Sequence, residues 1–172
     1  MAELSKMQSG SYQLKVGTFN LSQKIQNIVT LCQVMIDEHH YQLVIECPRN
    51  LMMTADEVKI SQVIYNFLSN AFKHTPDGKK ITIRAFEKND WIQVEVEDEG
   101  EGIKKEDLPY IWDRYYKVDR EHRRAQVGTG LGLSIVRAIL EQHQARYGVE
   151  SELGRGSTFW FELAVKQSHP DQ

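Results

Sequence analysis

Asn66, Asn70 and Lys73 stand four and three residues apart, and Lys59 and Gln62 fall on the same side of any helix that carries them. Amide oxygens suit a divalent cation, and a lysine beside them suits phosphate oxygens. Spacing alone leaves a second reading open, a solvated surface face. Asp98 is the next point of chemistry. Ile92, Val94 and Val96 alternate with Gln93, Glu95 and Glu97, so the period carries Asp98 onto the buried row. A carboxylate there must have a partner. Gly100 and Gly102 follow it and permit a tight turn, although such a string is often only a loop. The third feature is GTGLGL, residues 128–133, which passes directly into an apolar helical pattern. Glycines there expose N–H groups, and a helix N-terminus adds polarity favourable to an anion. A flexible loop entering a helix is the plainer reading. The motif is not a dinucleotide-binding fingerprint, because the upstream strand and spacing are wrong. It is not a Walker A loop, because no GKS or GKT follows.

These groups need elements to hold them. Residues 54–74 read as a helix whose apolar face is Ile60, Val63, Ile64, Phe67, Leu68 and Ala71. Thr54 and Glu57 have capping-box spacing at its start, and Pro76 and Gly78 end it. Residues 11–19 read as an extended linker or short strand. Asn20 can cap a helix running to about residue 39. Strands are predicted at 41–47, 51–53, 79–87, 91–97, 147–152 and 157–165, with a hairpin turn at Asn89 and Asp90. A helix after the second glycine motif turns Ile135, Ile139 and Leu140 inward, and Phe159, Phe161, Leu163 and Val165 form the last strand's core row. Three substantial helices and a mixed, mostly antiparallel sheet give a two-layer α/β sandwich.

Residues 66–74, with the glycine clusters downstream, resemble the ATP-binding domain of sensor histidine kinases. This is the Bergerat fold of the GHKL superfamily, which includes Hsp90, DNA gyrase B and MutL. NFLSNAFKHT is similar to the family's N box, commonly NLLxNAxKYT. The resemblance implies that Asn70 is the principal magnesium ligand, supported by Asn66, and that Lys73 contacts phosphate. His74 replaces the usual tyrosine; it stacks, reaches a phosphate or assists the helix cap. DEGEGI resembles the G1 box, which makes Asp98 the acceptor for the adenine amine, beside Gly100, Gly102 and Ile103. LPYIWDRYY resembles the F box, with Trp112 for the usual phenylalanine. There Arg114 and Lys117 reach phosphate, position a partner domain or are surface charge. Gly128, Thr129, Gly130, Leu131, Gly132 and Leu133 match the G2 box that holds the triphosphate. GSTF resembles the last glycine motif, with Thr158 near the nucleotide. The resemblance spans residues 3–165.

The implied activity is transfer of the ATP γ-phosphoryl group, with Mg2+, to a histidine on a dimerisation domain, and thence to a response regulator. Hsp90 and gyrase B carry a glutamate general base at the position of Asn66; an amide cannot remove a proton, which argues against efficient hydrolysis. Residues 1–12 resemble the end of a dimerisation-domain helix and linker, 13–166 the catalytic domain, and 167–172 a disordered tail. None of the six histidines lies in an HExR motif. The charged run 119–124 reads as the mobile part of a lid. An anti-sigma serine kinase and an inactive nucleotide-binding module are the alternative readings. A net charge of −3 gives no reason to expect nucleic acid. Cys32 and Cys47 lack metal or redox spacing. The expectation is a monomeric cytoplasmic domain whose parent is a membrane-anchored homodimer.

Overall fold

A computed structural model describes residues 13–113 and 132–165 of the chain. The expectations for the N-terminal helix end, the lid run and the tail lie outside the described residues.

The first strand, β1 (Val16–Asn20), leads directly into helix α1 (Leu21–Leu31). Asn20 caps α1 as its sequence predicts, its side chain accepting from the Gln23 N–H at 3.0 Å. The helix expected to reach residue 39 is two helices, because Cys32 bonds back three residues, to the Val29 carbonyl. Helix α2 (Gln33–Glu38) then continues the same buried stripe through Ile36. Strands β2 (Gln42–Glu46) and β3 (Met52–Asp56) precede the long helix α3 (Glu57–His74). Strands β4 (Lys80–Lys88) and β5 (Trp91–Asp98) form the expected hairpin, with positive φ at both Asn89 and Asp90. A single 3₁₀ turn, Leu108–Tyr110, comes next; helix α4 (Gly132–Gln142) and strands β6 (Arg146–Glu152) and β7 (Gly156–Ala164) complete the described chain.

The main sheet has five strands in the order β2-β4-β5-β7-β6, of which only β2 and β4 run parallel. Strands β1 and β3 pair separately as an antiparallel ladder. That ladder corrects the start of α3. Thr54 belongs to β3, where its hydroxyl meets Thr18 Oγ1 at 2.9 Å, and the cap is Asp56, whose carboxylate accepts from the Lys59 N–H. The strand continues to Asp56 because it has a partner there, Val16, which is distant in sequence.

Helices cover one face of the sheet. Phe67 of α3 is fully buried, with ring centroids 5.5 Å from Phe159 and 6.3 Å from Phe161 of β7. Trp112 packs edge-on against Phe159 and Tyr147 and is buried too. This aromatic cluster fixes the depth at which α3 lies on the sheet. Truncating a buried phenylalanine of this kind costs about 3–5 kcal/mol. On α4 the buried stripe is Val136, Ile139 and Leu140, continued at helical spacing by His143 just past the helix end, while Ile135 is only partly buried. The other sheet face carries charge: Arg84 donates to Glu46, Glu95 and Glu97 at 2.8, 2.8 and 3.0 Å, joining β2, β4 and β5.

Candidate nucleotide site

Asp98 ends β5 on the helix-covered side and is 4% exposed. The row it continues is apolar: Val94 pairs with Phe161, Val96 with Phe159, and Asp98 with Ser157. Its Oδ1 accepts from two backbone groups, the Gly100 N–H at 2.9 Å and the Ser157 N–H at 3.2 Å. Its Oδ2 has no hydrogen bond from the described residues. Burial pushes the carboxyl above its ordinary value, against the pull of the two N–H groups and of nearby His74. A buried acid with one oxygen capped and the other open is a built acceptor awaiting a donor.

The glycines after Asp98 are needed for packing. A Cβ on Gly100 would collide with the His74 carbonyl at the end of α3. Gly102 has φ +80°, and a Cβ there would strike the Glu152 carbonyl. The loop is stitched to the β6–β7 hairpin by Gly154 N–H to Glu101 O at 2.8 Å and Ile103 N–H to Ser151 Oγ at 2.7 Å. The DEGEGI segment is thereby clamped between the end of α3 and the hairpin.

The α3 stripe comes to this place because the helix ends against the loop. Tyr41 Oη lies 2.8 and 2.9 Å from the Phe72 and Thr75 carbonyls, and its single hydrogen is shared between two groups that a helix end leaves without partners. Asn66 Nδ2 donates to the Gln62 carbonyl at 2.9 Å, so its Oδ1 remains an acceptor. A Cβ on Gly132, the first residue of α4, would lie 3.4 Å from that Oδ1. Gly132 thus opens α4 beside Asn66. Asn70 is half-buried and Lys73 exposed, and neither side chain has a hydrogen bond from the described residues. His74 Nδ1 lies 3.6 Å from Glu101 Oε1, a contact between the helix end and the glycine loop. Lys59 departs from the predicted stripe: it is 7% exposed, and burial lowers its pKa.

The helix start is held from α4. The Asp56 N–H donates to His143 Nε2 at 3.1 Å, and His143 Nδ1 donates to the Ile139 carbonyl at 2.9 Å. Both ring nitrogens are used, and the arrangement requires a neutral imidazole. Burial lowers its pKa accordingly.

Residues 55–167 match the family described as histidine kinase-, DNA gyrase B-, and HSP90-like ATPase. The chain belongs to this family. Among relatives of this ATPase domain, the sensor histidine kinase WalK of Bacillus subtilis is 33% identical over 99% of this chain and 28% of its own length. The histidine protein kinase DivJ of Caulobacter vibrioides is 34% identical over 95% of this chain and 27% of its own. The chain thus spans little more than a quarter of either relative. The catalytic domain of histidine kinase ThkA superposes with a TM-score of 0.78 at 27% identity, covering 88% of this chain and 97% of that one. The α/β sandwich is that of histidine kinase catalytic domains, as the sequence led us to expect.

Two features of this ATPase domain were not singled out in its sequence. Thr158 points to the open sheet face, in register with Glu97 and Glu150, whereas Ser157 lies beside Asp98 on the covered face. Strand parity carries the signal: Ser157 is in phase with Phe159, Phe161 and Leu163, and Thr158 is not. Ser151 has the same phase in β6 and pairs with Ser157. Leu133 and Ile103 pack against the core with part of their surface exposed. Arg114, Lys117, Gly128, Thr129, Gly130 and Leu131 lie outside the described residues.

Proposed function

We propose that the chain binds ATP with its base against Asp98 and its phosphates along the Asn66, Asn70 and Lys73 face of α3, and delivers the γ-phosphoryl group to a histidine on a separate dimerisation domain. The observation that carries this reading is the buried Asp98, whose Oδ1 accepts from two backbone N–H groups while its Oδ2 has no donor among the described residues. An exocyclic amine supplies the missing donor and keeps the acid ionised.

The Asn70 and Asn66 amide oxygens fit Mg2+, a hard cation that prefers oxygen ligands. Asn66 already has its nitrogen tied to the Gln62 carbonyl, so the oxygen is the atom it can offer. Held there, magnesium supplies charge neutralisation at the triphosphate. Lys73 adds a positive charge from the solvent side, and the start of α4 offers backbone N–H groups next to Asn66. Asn66 and Asn70 offer no general base, since amides cannot take a proton. This favours a nucleophile that arrives with its lone pair available, such as a neutral imidazole, over water. Catalysis then consists of positioning and electrostatic stabilisation. Histidine kinase ThkA has been crystallised with the response regulator protein TrrA, and a response regulator is the proposed final acceptor here.

Calorimetric titration with ATP and magnesium tests the first part; no heat at millimolar ATP would sink it. The second part is tested with a separately supplied dimerisation domain carrying an HExR histidine. Acid-labile label from γ-labelled ATP should appear on that domain. Acid-stable label on a serine protein would point to the serine-kinase reading instead.

A further inference from the structure

The end of the covered sheet face is a polar row crossing three strands: Asp98 of β5, Ser157 of β7 and Ser151 of β6. The rows behind it, Val96–Phe159–Val149 and Val94–Phe161–Tyr147, are apolar. Ser157 is 7% exposed, so its hydroxyl hydrogen needs a partner within the protein. Its hydroxyl has one, Ser151 Oγ at 2.7 Å.

The direction of that bond follows from counting. A serine hydroxyl has one hydrogen and two lone pairs. Ser151 Oγ lies 3.0 Å from the Gly156 carbonyl oxygen, which can only accept, so Ser151 spends its hydrogen there. One lone pair takes the Ile103 N–H at 2.7 Å. The remaining lone pair takes the Ser157 hydroxyl hydrogen. Ser157 therefore donates to Ser151 and keeps only lone pairs, on the strand position paired with Asp98.

We infer that Ser151 is a positioning residue for base selectivity: by accepting the Ser157 hydrogen, it makes the row beside the base an acceptor-only edge that selects a 6-aminopurine nucleotide against a 6-oxopurine one. At position 6 an oxo group sets lone pairs against these acceptors and leaves the base only its N1–H to donate, whereas a 6-amino group brings hydrogens to them directly. Polar mismatch of this kind discriminates far more strongly than a difference in size. Without the Ser151 hydroxyl, Ser157 is free to rotate and donate, and the penalty on the 6-oxo base falls.

This inference rests on the proposed ATP site, and the test separates the two. ATP and inosine triphosphate, which differ at position 6 of the base, are titrated with magnesium into the wild-type chain, Ser151→Ala, Ser151→Thr and Ser157→Ala. Wild type should prefer ATP. Ser151→Ala should lower the ATP-to-inosine-triphosphate affinity ratio about tenfold, the effect of one hydrogen bond of about 1.4 kcal/mol. Ser151→Thr should restore the ratio. Ser157→Ala should lower it too, and Ser151→Ala should add nothing in that background. If Ser151→Ala weakens both nucleotides equally, or leaves the ratio unchanged, Ser151 merely braces the loop and the inference is overturned. Should Ser151→Ala not fold, an unchanged ratio in Ser157→Ala overturns it as well. A wild-type chain that binds neither nucleotide sinks the ATP site itself.

Discussion

The two ends of the proposed site are built on opposite principles. At the base end, Asp98, the glycine loop and the β6–β7 hairpin are tied together by four backbone-donated bonds before any ligand arrives. At the phosphate end, Asn70 and Lys73 stand on a half-open helix face without a hydrogen bond from the described residues, and Asn66 has one. Burial explains the difference. Asp98 and Ser157 at the base end are buried and must be satisfied within the fold, leaving one designated acceptor open. Groups on α3 are solvated and lose little by waiting. Selectivity is thus preorganised, and charge handling is left to be completed by the ligand.

The largest effect should come from the open end. Asn70→Asp keeps the size but sets a carboxylate beside the triphosphate. Phosphoryl transfer to a supplied dimerisation domain should fall by about 10²–10³-fold, the usual cost of removing an electrostatic stabiliser. The melting temperature should stay close to wild type, because the side chain lacks partners in the described fold. A matching loss of thermal stability would mean that this end is preorganised as well.

Asp98→Asn probes the closed end. Asn can still accept from the Gly100 and Ser157 N–H groups through one oxygen, but presents an N–H where Oδ2 stood. ATP affinity should drop about 10–100-fold, the range for a hydrogen bond to a charged group. Stability should move the other way. The folded carboxyl titrates above its ordinary value of 3.8, so its contribution favours the fold at low pH and is lost as pH rises through the folded value. At neutral pH the ligand-free variant should therefore be as stable as wild type or more so. Thermal unfolding with and without ATP decides it, and unchanged ATP affinity would reject the base-end assignment.

His143 holds the start of the phosphate-end helix and has the opposite sign. Its folded pKa lies below the ordinary 6.5, so the unfolded chain takes up the proton first. Its contribution should be fully present above pH 6.5 and lost progressively as pH falls toward the depressed folded value, at no more than about 1.4 kcal/mol per pH unit. His143→Gln, which keeps an acceptor for the Asp56 N–H, should flatten that part of the stability profile. An equally steep profile in the variant would place the acid sensitivity elsewhere.

The smallest effect belongs to Thr75, where the two ends meet. Its hydroxyl oxygen is fully enclosed and has no partner among the described residues. Thr75→Val keeps the shape and removes that oxygen, so unfolding free energy should be unchanged or higher by about 1 kcal/mol. Clear destabilisation in denaturant melts would show that the hydroxyl is satisfied in solution.

Periodicity made much of this legible. The apolar face of α3 and the inward turn of Asp98 both follow from side-chain spacing, and both are observed. The positions misplaced by sequence reasoning depend on distant partners. Thr54 could not be told from a cap because β1, which draws β3 out to Asp56, pairs with it across two intervening helices and a strand. The break at Cys32 leaves no mark, since its apolar stripe continues without interruption. Ser157 was within reach of parity, since it shares the phase of Phe159 and Phe161 and the adjacent Thr158 does not. Ser151 was hidden because its role lies in a hydrogen-bond count that only coordinates supply.

The strand order has a consequence for when the site can exist. β7 is the last described strand in the chain, yet it lies between β5 and β6. The bonds that shape the base end join residues 48 and 59 positions apart, and the one that anchors α3 to α4 spans 87. Contacts of such separation form late, because the chain must first be closed over the intervening length. During synthesis, no nascent chain lacking β7 can hold Asp98 in its paired state. Nucleotide binding should therefore appear in a single step, only after the last strand has left the ribosome and inserted into the sheet.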